Sequence, residues 1–73
     1  MKKQNLKDFL NAYSLNGGKK AHLYALISKQ LGVHQNTVRN WFNLKTSTDN
    51  PVFLAQIEKT TGIKRETMFV NHD

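Results

Sequence analysis

Five side chains between Gln35 and Asn43 share one chemistry: Gln35, Asn36, Asn40 and Asn43 end in carboxamides, and Arg39 ends in a guanidinium. A carboxamide presents a donor beside an acceptor, the pair that meets adenine N6 and N7, while the guanidinium fork fits guanine O6 and N7. On a helix these positions lie opposite Val38 and Trp41, which are three apart and point inward together. The outward set contains no Glu, Asp or Lys, the residues that ordinarily solvate a helix face. The amide bias therefore suits base edges in a DNA major groove, which is wide enough to admit an α-helix.

The face needs a scaffold, and hydrophobic spacing supplies one. Leu6, Phe9, Leu10 and Tyr13 form the stripe of a first helix that Asn16-Gly17-Gly18 ends. Leu23, Leu26, Ile27 and Leu31 form the inner stripe of a second, about Lys20 to Leu31, and Gly32 permits a sharp turn. Val33 and Val38 are spaced as a hydrophobic staple across a start at His34, so the third helix runs from Gln35 to Asn43. Leu44 to Asn50 reads as a polar surface loop. Asn50-Pro51 supplies a cap and first residue for a fourth helix with Phe53, Leu54 and Ile57 inward, ending near Thr61 before Gly62. A fifth is expected over Arg65 to Val70, packing Met68 and Phe69. No alternating pattern is sustained, so the expected class is all-α.

Composition narrows the partners. The chain has 73 residues, no cysteine and a net charge of +6, so one domain over residues 1–73, with its core at about 6–69 and loose ends, must be held by helix packing alone. No apolar run approaches the roughly 18 residues of a membrane span, and no signal-peptide core follows Lys2-Lys3, which points to the cytoplasm of a host cell. Charge is uneven: Met1 to Thr48 holds eight Lys or Arg against one carboxylate, and Asp49 onward holds three against four. The basic side suits an anionic partner, nucleic acid before membrane. His22, His34 and His72 lack metal-ligand spacing, and the five acids show no pairing for acid–base catalysis. Neither an enzyme, a cofactor, a metal nor a small-molecule substrate is expected.

The segment Ile27-Ser28-Lys29-Gln30-Leu31-Gly32-Val33-His34-Gln35-Asn36-Thr37-Val38-Arg39-Asn40-Trp41 resembles the helix-turn-helix of the phage repressor-like family of the Cro/CI, XRE type. Pro51 to Phe69, with Ile57, Thr61-Gly62-Ile63 and Glu66-Thr67-Met68-Phe69, is similar to that family's fourth and fifth helices, so the resemblance covers about Leu6 to Phe69. It implies a compact five-helix, lambda-repressor-like domain with the helix-turn-helix at helices 2 and 3. Gln35, Asn36 and Asn40 match its main base-reading positions, and Arg39 and Asn43 match supplementary ones. Thr37 matches a phosphate position, and Lys45-Thr46-Ser47 matches the stretch that grips the backbone. Lys19 and Lys20, at the start of helix 2, are placed to clamp another phosphate. His34 stands where the family often has Ser or Thr, Ser28 where it usually has Ala, and Tyr24 where it commonly has Gln; a phosphate contact is assigned to His34.

The resemblance implies a bacterial, phage- or prophage-derived transcriptional regulator, a repressor of the Cro/CI kind, that binds double-stranded DNA as a homodimer with two recognition helices in successive major grooves. Met68, Phe69 and Val70 are the candidate dimer surface. An antitoxin, an excision-type DNA-binding factor and a helical protein-interaction module are the alternatives. A homeodomain is not, because its pattern wants Asn three residues after Trp, where this chain has Leu44.

Overall fold

Local signals place most of the helix ends in the computed structural model, which describes residues 4–70. Asn5 opens α1 (Leu6–Leu15) with a capping box: its side chain accepts from the Asp8 N–H at 2.8 Å, and the Asp8 carboxylate accepts from the Asn5 N–H at 3.1 Å. Gly32 follows α2 (Lys20–Leu31) with φ of 70°, a left-handed conformation that only glycine adopts without strain. Next come α3 (Gln35–Phe42) and α4 (Pro51–Thr61); Asn50 accepts from the Val52 N–H at 2.9 Å to cap the latter. The last is α5 (Arg65–Met68). The described residues contain no strand, so the all-α expectation holds.

The core is a meeting of stripes. Leu6 and Leu10 of α1, Leu23 and Ile27 of α2, and Val38, Trp41 and Phe42 of α3 are all buried. Ile57, Ile63 and Met68 close the cluster from the C-terminal side. α3 packs on α2 and α1, and α4 packs on α2 and α5. Ring contacts orient these layers: Phe42 lies 6.2 Å from Tyr24 and 6.4 Å from Phe9, and Trp41 lies 5.8 Å from Phe53. Such tilted pairs favour one packing angle over its neighbours.

Several expectations change. α3 stops at Phe42, because Asn43 turns out of helical geometry as the C-cap. α5 stops at Met68 rather than Val70, because Phe69 leaves helical geometry as the C-cap; the Val70 carbonyl beyond it accepts from the Asn5 side-chain amide at 2.6 Å. Leu26 is half exposed, about 100° around the helix from Ile27. Met68 is fully buried, so it cannot belong to a dimer surface; Val70 is exposed and Phe69 packs against the core. The expected loose termini, at residues 1–3 and 71–73, lie outside the described residues. No helix among those described is long and apolar enough to cross a membrane.

Candidate nucleic-acid interface

The candidate site is built by the turn between α2 and α3. The N–H groups of Gly32 and Val33 both donate to the Ser28 carbonyl, at 2.8 and 3.2 Å, which closes α2 and reverses the chain within three residues. Val33 then packs against the core together with Val38, completing the expected staple and fixing the angle at which α3 departs. His34 caps α3: its Nδ1 accepts from the Asn36 N–H at 3.2 Å. The residue assigned to a phosphate thus spends one ring nitrogen on the helix itself.

With Val38 and Phe42 turned inward at an i, i+4 spacing, Gln35, Asn36, Arg39, Asn40 and Asn43 occupy an outward arc of about 140°. Their environments differ. Gln35, Asn36 and Arg39 are exposed, and among the described residues their side chains make no hydrogen bond, so their donors and acceptors are free for a partner. Asn40 is half-buried and its side chain is likewise unbonded. Asn43 is committed: its amide donates to the Arg39 carbonyl at 2.8 Å.

A shallow cleft of about 270 Å³ lies between the two helices, lined by Ala21 and Tyr24 of α2 and by Gln35, Asn36 and Arg39 of α3. It makes the first turn of α2 a neighbour of the outward face. That turn carries exposed Lys20 next to Lys19, has no side-chain cap and holds no acid. Two cations at the positive end of a helix dipole disfavour the helix by some tenths of a kcal/mol each, a cost that an incoming anion would reverse.

The far end of α3 is closed by a feature the sequence hid. Leu44 takes φ of 60°. Its N–H donates to the Trp41 carbonyl at 3.1 Å and the Lys45 N–H donates to the Asn40 carbonyl at 2.9 Å, the paired bonds of a Schellman ending. Glycine normally fills that left-handed position; here leucine does, and its partly buried side chain packs on the core. Leu44 is therefore an anchor and not a plain loop residue. It holds exposed Lys45, Thr46 and Ser47 beside the C-terminal end of α3. Thr37 is half-buried in the first turn of α3.

The structure therefore groups Gln35, Asn36 and Arg39 with the α2 terminus, keeps Asn40 on the same face, sets Lys45 to Ser47 at the opposite end, and diverts Asn43 and His34 to capping. Sequence reasoning missed Ala21 and Tyr24 as cleft walls, and Phe42 as the largest fully buried side chain of α3. The i, i+4 pairing of Phe42 with Val38 was the available signal for the last. The chain matches no protein-family model, no curated protein and no solved structure.

Proposed function

We propose that this protein is a sequence-specific double-stranded DNA-binding transcriptional regulator with a lambda-repressor-like helix-turn-helix at α2 and α3, in which α3 enters the major groove. One observation carries the reading: the unbonded side chains of Gln35, Asn36 and Arg39 share a cleft with the uncapped, lysine-bearing first turn of α2. A helix presenting free amides and a guanidinium beside a cationic helix terminus combines base readout with phosphate contact, as groove recognition requires. Gln35, Asn36, Arg39 and Asn40 are the base-reading set. Lys19, Lys20, Thr37, Lys45, Thr46 and Ser47 flank it as phosphate contacts, from both ends and from the first turn of α3.

A repressor of phage Cro/CI type acting as a homodimer follows from the sequence resemblance, with Phe69 and Val70 left as the apolar part of a dimer surface. Selection of bound duplexes from a random library, followed by titration of the selected site against scrambled DNA at several salt concentrations, tests the proposal. Binding that is steeply salt-dependent and at least about a thousandfold tighter to the selected site is expected. Equal affinity for both duplexes would refute sequence-specific reading, and no salt-dependent binding at all would favour a protein-interaction module.

A further inference from the structure

We propose that His34 is a proton-sensitive positioning residue. Neutral, it caps α3 and holds the turn that carries Gln35 and Asn36; protonated, it releases that turn and weakens DNA binding. The effect on binding rests on the function proposed above, whereas the cap itself does not.

The direction of one hydrogen bond sets the protonation state of the ring. Nδ1 of His34 accepts from the Asn36 N–H at 3.2 Å, so Nδ1 must be unprotonated and the ring proton must sit on Nε2. Taking up a second proton makes both ring nitrogens donors, and Nδ1–H would then face the Asn36 N–H donor to donor. The new cation would also stand at the positive end of the helix dipole. Histidine is the side chain whose charge ordinarily changes between about pH 5 and 8.

The surroundings offer the protonated ring little in return. α3 carries Arg39, and α2 carries Lys20, His22, Tyr24 and Lys29. The elements packed on them bring Lys7, Asp8 and Tyr13 from α1 and Glu58 and Lys59 from α4. No carboxylate lies in the chain between Asp8 and Asp49. Asp8 accepts from the Asn5 N–H and Glu58 from Arg65.

The cap also matters more here than on a long helix. α3 has only eight residues, fewer than a helix needs to persist without tertiary help. Asn36 contributes both the backbone N–H held by His34 and one of the free side chains of the cleft. Releasing its amide loosens the geometry of the reading face at its first turn.

A phosphate contact from His34 predicts the opposite sign, because a protonated ring would bind an anion more tightly as pH falls. The test compares the full chain with its His34→Asn and His34→Ala variants on the selected duplex, from pH 8 to pH 5.5 at constant ionic strength. Asparagine accepts the same bond but does not titrate, so its affinity reports every other pH effect, including those of His22 and His72. Relative to His34→Asn, the native protein is expected to weaken by roughly fivefold on acidification, the factor a side-chain cap is typically worth. His34→Ala should already show that loss at pH 8.

A flat ratio, or tighter binding of the native protein at pH 5.5, would overturn the proposal. The Asn36 amide resonance, followed by NMR without DNA, separates the two layers. If no duplex binds, an amide that titrates in the native chain and not in His34→Asn upholds the proton-sensitive cap while the DNA reading fails. An amide that ignores pH in both overturns the cap.

Discussion

The side-chain amide of Asn43 donates to the backbone carbonyl of Arg39 at 2.8 Å, one helical turn earlier. The bond ties up a residue that sequence places among the base readers and gives it the task of finishing α3. Asn36, with the same functional group on the same face, has a side chain that bonds to nothing among the described residues. Asn36→Ala is therefore expected to relax discrimination at one base pair by about 1–3 kcal/mol. Asn43→Ala should instead cost about 0.5–1 kcal/mol of stability and leave sequence preference unchanged. Titrations on the selected and single-mismatch duplexes, with denaturant melts of both variants, check the contrast.

Phosphate contacts behave differently from base contacts. Lys45 stands exposed just beyond the Leu44 anchor, where its charge can be held against a DNA backbone without reading sequence. Lys45→Ala is expected to weaken selected and scrambled duplexes by a similar factor and to reduce the slope of log affinity against log salt by about one. A loss confined to the selected duplex would move Lys45 into the base-reading set.

Asn5 joins the two ends of the described chain. It is 3 % exposed, caps α1 and donates from Nδ2 to the Val70 carbonyl at 2.6 Å. Asn5→Ala removes the cap and leaves a carbonyl unpaired, so a destabilisation of about 2 kcal/mol is expected in chemical denaturation. Asn5→Asp should restore the cap alone, because a carboxylate cannot donate to Val70, and so should recover only part of the loss.

Acid should weaken the α4–α5 junction. The Glu58 carboxylate accepts from Arg65 Nε at 2.7 Å and from the Arg65 N–H at 2.9 Å. These bonds hold its pKa below the ordinary value of 4.5 and push the Arg65 guanidinium upward. A carboxylate whose pKa falls on folding contributes its stability above the unfolded value and loses it as pH drops through the lowered one. Thermal melts of Glu58→Gln should therefore lie below those of the native chain near neutral pH and converge with them in strong acid. The pair is solvent-exposed, so the gap should be small and shrink with salt.

Phe42 is expected to be the least replaceable residue of α3. It is fully buried and meets the rings of both Phe9 and Tyr24. Phe42→Ala should cost about 3–5 kcal/mol, comparable to the whole stability of so small a domain. Loss of the cooperative melt is the measurement that checks it.

The sequence alone determined what depends on neighbours along the chain. Hydrophobic spacing, Gly32 and Asn50-Pro51 place α2 and α4 to the residue, and the Val33–Val38 staple sets the start of α3, because caps, turns and helical stripes act within a few residues. The outward amide face was legible for the same reason, since inward Val38 and Trp41 leave only one side for it.

Tertiary structure decided how those residues spend their hydrogen bonds and which surfaces meet. Asn43 and Asn36 are the same residue type, and only the geometry at the end of α3 commits one and frees the other. Leu44 carries no glycine signal, yet burial of its side chain on the core offsets a left-handed backbone. The Val70 carbonyl, just past the end of α5, is held by Asn5, 65 residues away in sequence. The cleft that joins Tyr24 to Arg39 exists only once α2 and α3 pack at a fixed angle. Each of these depends on atoms distant in the chain or on competition for a single donor, and local periodicity carries no record of either.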